Sequence, residues 1–462
     1  MKQFFSAAQR RRIPEYLLLG GVLFTLLWHF VHILQLYGLP AIEAYLPMLW
    51  GGLAALLLRR GHTWQRKSFW LLAISLGYIF LHNLLMGRTE MEVGLTTVAN
   101  GLLVFGVYYQ LAFGFTKERL RSFLSLSCGL WVLLESLLAL CGILAALYDQ
   151  TIYTAAGSNL LGLKNNRLHL LIYATITASN LTVAFLLGCL GLALTRRPLV
   201  RGLYLLGMLI LAFALGLTVT RTGYLTLGLG VGLCLASLAL PRMRTLLHGR
   251  EWLVRLLCLA MVAVVILTAY FTLNATISLF NGMHQSVQAA AEEAVQQRPL
   301  QFNTHLLTER QYIWKGVYRY FRDNPQDLLF GVGVDHATQR VQPYTGSTLS
   351  YFHAHSIYLQ ALLEFGLVGL ALLLLVLWRF ARAALRLLLH REAPLWQRML
   401  PILPIMVLVA DLAECLLMLN CGYPALYFCL LLMGMTLRFS GAPDDLLPAY
   451  RPEVSPCESA AS

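Results

Sequence analysis

Two imidazoles and a few isolated cations are the residues of this chain whose types and positions fit chemistry. His353 and His355 sit in "YFHAHSIYLQALLEFGLVGL", directly before an apolar run that continues to Trp378, with Glu364 about two turns deeper. A helix starting here would place His355 in its first turn. The N-terminal end of a helix carries partial positive charge, which favours an uncharged imidazole and attracts anions. An uncharged histidine beside an anion-binding cleft has the properties of a general base. The alternative is an interfacial histidine that caps the helix. His353, two residues earlier, fits the cap or a supporting role better, and Glu364 fits a hydrogen-bonding acid within the bundle.

The cations come from separate segments. Arg221 in "LAFALGLTVTRTGYLTLGLG" falls between two apolar runs with almost no loop. Ionisable residues at such depth are costly and usually mark a site or pathway; the other reading is a hairpin-tip arginine paired with lipid phosphate. Arg310 lies in "LLTERQYIWKGVYRYFRDNP", which reads as a helix over about 306–323 stopped by Asn324-Pro325. At 100° per residue, Trp314, Val317 and Phe321 fall within about 40° of Arg310, whereas Lys315, Arg319 and Arg322 share the opposite face. That pattern suits a helix lying at a membrane surface, with Arg310 aimed into protein or a cleft. It fits either a capping or snorkelling arginine or one that meets an anionic partner. Lys164 and Arg167 in "GLKNNR" are either further anion ligands or loop charges at a helix start. Arginine suits phosphate because its planar fork gives bidentate, charge-assisted hydrogen bonds. Arg167, Arg221 and Arg310 could therefore converge on one polyanion. Asp411 and Glu414 lie in another apolar run, three apart and so on one helical face. They are placed either to hold an arginine or the histidine, or to form a structural ion pair.

The elements that must position these residues are membrane spans. The 462 residues are 58% hydrophobic and only 12% charged, about half the charge of an ordinary soluble protein. Apolar runs near the ~20 residues that cross a bilayer recur throughout. They predict an all-α polytopic membrane protein with twelve spans: 15–36, 41–58, 68–86, 92–114, 122–148, 168–194, 202–219, 222–240, 252–273, 355–378, 400–419 and 421–437. The first follows "RRR" without a small-residue cleavage site, which predicts a retained helix. With the N-terminus inside, the inner segments hold 25 of the 35 Lys and Arg, the positive-inside asymmetry. This accounts for most of the net charge of +13 without nucleic acid and predicts contact with membrane lipids. The chain then divides into a membrane part (1–273), a large outer loop with amphipathic helices (274–354), a second membrane part (355–437) and an inner tail (438–462). A shorter outer segment, 149–167, reads as loop. The nine cysteines give no CxxC pair and no zinc spacing, so neither metal nor cofactor is expected.

In this order the pieces "TRTGYL", "ERQYIWKGVYRYFRDNPQDLLFGVGV" and "HAHSIYLQALLEFGLVGL" resemble the O-antigen ligase and polymerase superfamily of bacterial envelope glycosyltransferases. The motifs cover about residues 218–370. The resemblance implies a GT-C type fold in the bacterial inner membrane with the active site periplasmic, and the charge asymmetry then puts both termini on the cytoplasmic side. It implies an undecaprenyl-diphosphate-linked glycan as donor. The family's hairpin arginine maps onto Arg221, its loop arginine onto Arg310 and its histidine onto His355, with Ser356 where Asn is commoner. Lys164 and Arg167 match loosely. Within the superfamily the expectation is a ligase using lipid A-core as acceptor, against a polymerase extending lipid-linked repeats. A transporter is a third class; it would favour broken helices and related halves.

Overall fold

The protein is seen in a computed structural model that describes residues 20, 65–85, 110–153, 160–164, 167–170, 174–248, 250–290, 310–334, 336–345, 353–390, 392–415 and 424–441. Seven of its helices are long and apolar enough to cross a membrane: α1 (Lys67–Leu85), α3 (Lys117–Leu147), α4 (Ala174–Leu194), α5 (Pro198–Leu217), α6 (Arg221–Leu246), α7 (Glu251–Ala290) and α11 (Ile357–Leu389). Each matches one predicted span. The spans at 15–36 and 41–58 lie outside the described residues, and 92–114 is represented only by α2 (Gln110–Gly114). The chain is a multi-pass membrane protein. Leu199, Leu209, Leu259 and Phe271 leave 77%, 69%, 68% and 68% of their surface uncovered by protein, which is unfavourable in water and without cost in lipid.

Between α3 and α4 the chain forms a sheet of three antiparallel strands, β1 (Ile152–Tyr153), β2 (Leu160–Lys164) and β3 (Arg167–Leu170). This corrects the expectation of loop over 149–167 and shortens the next span, which begins at Ala174 instead of 168. The physical reason is a period-2 pattern. Leu161, Leu168 and Leu170 are buried on one side, and Lys164 pairs with Arg167.

The hairpin of α6 and α7 is held by close backbone approach. A Cβ at Gly228 would meet Ile266 Cα at 2.9 Å, and one at Gly232 would meet Val262 Cα at 2.9 Å. Two small residues four apart thus form the contact face, the arrangement by which helices pack without a hydrophobic driving force. α7 runs on past the predicted end at 273 to Ala290, because the helix-prone "HQSVQAA" continues it. There Phe280 is buried, and His284 pairs with Asp149 at 2.9 Å.

The large loop supplies α8 (Arg310–Asp323), α9 (Asp327–Phe330), α10 (His336–Val341) and a 3-10 turn at Gln342–Tyr344. Ile313, Val317, Tyr320, Phe321, Val332 and Leu363 pack together as its core, and the Tyr320 hydroxyl donates to the Asp327 carboxylate. After the loop come α11, then α12 (Leu395–Met399), α13 (Ile402–Ala410) and α14 (Pro424–Phe439). The predicted span at 400–419 is therefore a short helix that stops at Ala410 and turns over 411–414.

α11 is broken at Gly366, whose φ of 65° and ψ of −165° belong to a region open essentially to glycine alone. The break lies nine residues, about 14 Å, from the start of the helix. It frees backbone carbonyls, and each is recaptured. Val332 N–H donates to Leu363 at 2.8 Å, Gly333 N–H to Glu364 at 2.9 Å, and the Tyr78 hydroxyl of α1 to Phe365 at 2.8 Å. Gly331, at φ 77°, lets the loop backbone press against Glu364 and Gly366. Irregular backbone at membrane depth is tolerated when protein satisfies it in this way.

A Cβ at position 366 would fall 2.3 Å from the Leu329 carbonyl oxygen. Gly366→Ala should therefore destabilise the protein by at least the roughly 1–3 kcal/mol of backbone strain. Gly77→Ala, where nothing lies within 4 Å, should be neutral. Thermal unfolding of the two purified variants beside the wild type checks this, and equal midpoints would mean that the break is dispensable.

Candidate active site beneath the large loop

α8 carries Arg310 on the same side as its buried Val317 and Phe321, as the helical wheel anticipated. Val317 and Phe321 are buried, Lys315, Arg319 and Arg322 are exposed, and the Trp314 indole N–H donates to the Ala354 carbonyl at 3.0 Å. So aligned, the guanidinium reaches the turn that ends α13. There it ion-pairs with Glu414 Oε1, with side chains only 17% and 8% exposed. A second nitrogen lies 3.5 Å from the Thr222 hydroxyl, beside Arg221. Glu414 Oε2 lies 3.6 Å from His355 Nδ1. One carboxylate thus faces both the loop cation and the imidazole. The distance to His355 exceeds a hydrogen bond, and such contacts often tighten only when substrate is bound.

His355 is not in the first helical turn as expected. It has φ 48°, the left-handed region, and α11 starts at Ile357 with Ser356 as the N-terminal boundary. The reason is a competing set of partners. Ile357 N–H donates to the carbonyls of Asp411 at 3.0 Å and Glu414 at 3.2 Å, which the end of α13 leaves open. The backbone of 411–414 therefore docks the start of α11, while its side chain at 414 reaches the site. The shared-face argument for Asp411 and Glu414 gives way to a turn; Asp411 is fully buried there.

His353 supports its neighbour. His355 N–H donates to His353 Nδ1 at 3.1 Å, and the rings are 4.2 Å apart between centroids. Accepting that bond requires the neutral His353 tautomer with its proton on Nε2. Burial, then the adjacent His355, pushes the His353 pKa down to about 4. Ala354 N–H donates to Gln360 Oε1 at 2.7 Å, and Gln360 in turn donates to Glu364 at 2.7 Å. Glu364 is thus the hydrogen-bonding acid expected of it.

On the α6 side, Arg221 stands at the first position of its helix, close enough to Arg167 for the two charges to repel. Lys164 is the cross-strand partner of Arg167, and it is exposed. The structure thus brings Arg310, His353, His355 and Glu414 into contact and places Arg221, Arg167 and Lys164 along the neighbouring strand and helix ends. This set offers a shared carboxylate, an imidazole and several arginine forks. Among the described residues no three His, Cys, Asp or Glu side chains group as a metal site. The sheet that carries Lys164 and Arg167 was missed, although the leucine alternation beside Asn165-Asn166 signals it.

Residues 206–374 match the family model described as O-Antigen ligase, a stretch that includes Arg221, Arg310, His353 and His355. The match supports the O-antigen ligase superfamily and its ligase or polymerase type of activity. No curated protein matches the chain.

Between the ordinary histidine pKa of 6.5 and about 4, the folded protein binds fewer protons at His353 than the unfolded chain does. Stability from this group is therefore complete above pH 6.5 and is lost as pH falls toward 4. His353→Gln should show a shallower fall in Tm than the wild type between those two pH values. Parallel Tm–pH curves would contradict the buried neutral imidazole.

Proposed function

We propose, from the O-antigen ligase superfamily as premise, that this protein is an inverting glycosyltransferase. It moves an O-antigen glycan from undecaprenyl diphosphate to lipid A-core at the periplasmic face of the bacterial inner membrane. The observation that carries the reading is the Glu414 carboxylate shared between Arg310 and His355. A sugar diphosphate leaving group needs its developing charge neutralised, and arginine forks aimed at it supply that. Arg221 and Arg310 bind the diphosphate, with Arg167 and Lys164 extending the positive surface. Glu414 orients Arg310 without using all five of its N–H donors. His355, held with Nδ1 toward Glu414, takes the acceptor hydroxyl proton on Nε2. The acceptor oxygen bonds to the anomeric carbon from one side while the carbon–oxygen bond to phosphate breaks on the other. The diphosphate leaves with the negative charge, and single displacement inverts the centre. The imidazolium that forms faces Glu414, which stabilises it as the charge appears.

His355→Ala should reduce glycan transfer by purified enzyme roughly 10²–10⁴-fold, the usual contribution of a general base, with His353→Ala milder. Arg310→Lys should lose most activity although it keeps its charge. Glu414→Gln should impair the enzyme through both of its neighbours, and EDTA should have little effect. Equal activity in the two histidine variants would defeat the base assignment, and abolition by EDTA would defeat the arginine clamp. The acceptor is tested in a deletion strain, where a ligase defect leaves long polymer on undecaprenyl diphosphate and bare core. Core carrying a single repeat would identify a polymerase instead.

A further inference from the structure

At the end of the bundle away from His355, three arginines are satisfied by protein. Arg121 donates to the Leu194 carbonyl at 3.1 Å, and Arg438 donates to the carbonyls of Ala112 and Phe115. Arg244 pairs with Glu251 at 3.2 Å and donates to the Leu389 carbonyl at 3.2 Å. Arg398 is different. It lies on α12, which packs against α4, α6 and α11, and only 6% of its surface is exposed. Its Nε is fully buried without a hydrogen-bond partner, and no acid among the described residues pairs with it. Another cation, Arg244, lies close enough to oppose its charge, and the acid of Arg244 is already engaged.

A guanidinium buried this way is unfavourable unless an anion meets it. We propose that Arg398, flanked by Arg244, is a binding site for the phosphate of an anionic phospholipid headgroup. Arg398 lies where α12 meets α4, α6 and α11, at the arginine-rich end of the spans. The planar fork of Arg398 matches phosphate oxygens, and basic pockets between spans at the inner face are where anionic headgroups dock. The Arg244–Glu251 pair is neutral as a unit, so among the described residues the positive charge of Arg398 is left uncompensated. That favours phosphatidylglycerol over phosphatidylethanolamine, whose ammonium would be repelled. The site is independent of the transfer chemistry.

The full chain, purified in detergent, can be titrated with phosphatidylglycerol, phosphatidylethanolamine or inorganic phosphate while Tm is followed. Phosphatidylglycerol should raise Tm progressively, and the other two should not. Arg398→Met should lose that rise while unfolding, without lipid, at or above the wild-type temperature, because it removes an unpaired buried charge. An undiminished rise in the variant would overturn the site. So would a lipid-free variant that unfolds at a lower temperature, since Arg398 would then have a protein partner. An equal effect of inorganic phosphate would overturn the lipid as its source.

Discussion

The pairing of Arg310 with Glu414 is the interaction on which the candidate site rests. It joins a cation from the large loop to an acid from the last third of the chain, across 104 positions. Both side chains are largely buried, so removing either leaves the other charge uncompensated, which is far more damaging than the pair is stabilising. The same carboxylate faces His355, and the backbone of its turn accepts from Ile357 at the start of α11. Loop, imidazole and helix start are thus referred to one short turn.

That turn exists because α13 stops at Ala410 instead of completing a span. An uninterrupted helix would satisfy the carbonyls of Asp411 and Glu414 internally and leave Ile357 N–H without them. The interruption in α11 follows the same logic, with carbonyls opened at Gly366 and closed by the loop and by Tyr78. Broken helices were expected of a transporter. Here both breaks have partners within the protein that dock the loop and the helix start beneath it.

What could be read from the sequence was what repeats locally. Hydropathy located all seven long helices, and the 3.6-residue period placed Arg310 on the buried face of α8. Arg221, His355 and the pair Asp411/Glu414 stood out because charge is costly in apolar runs. Three things escaped, each for a long-range or irregular reason. The strands carrying Lys164 and Arg167 are only five and four residues long, so their leucine alternation is easily absorbed into the apolar run that follows. The left-handed backbone of His355 is set by acceptors more than fifty residues later. The match of Gly331 to Gly366 is a tertiary contact that no local pattern encodes.

The broken helix also constrains how the protein is made. The ribosome delivers residues 331–333 before 363–366, so the amides that close the gap exist before the gap does. They are useful only if they lie on the same side of the bilayer as the start of α11. The loop must therefore have reached that side before the helix can settle. A chain whose loop stays behind would leave the carbonyls of Leu363 and Glu364 open about 10 Å from the helix start, where lipid offers them no donor. Gly366 thus makes α11 sensitive to the topology of everything that precedes it.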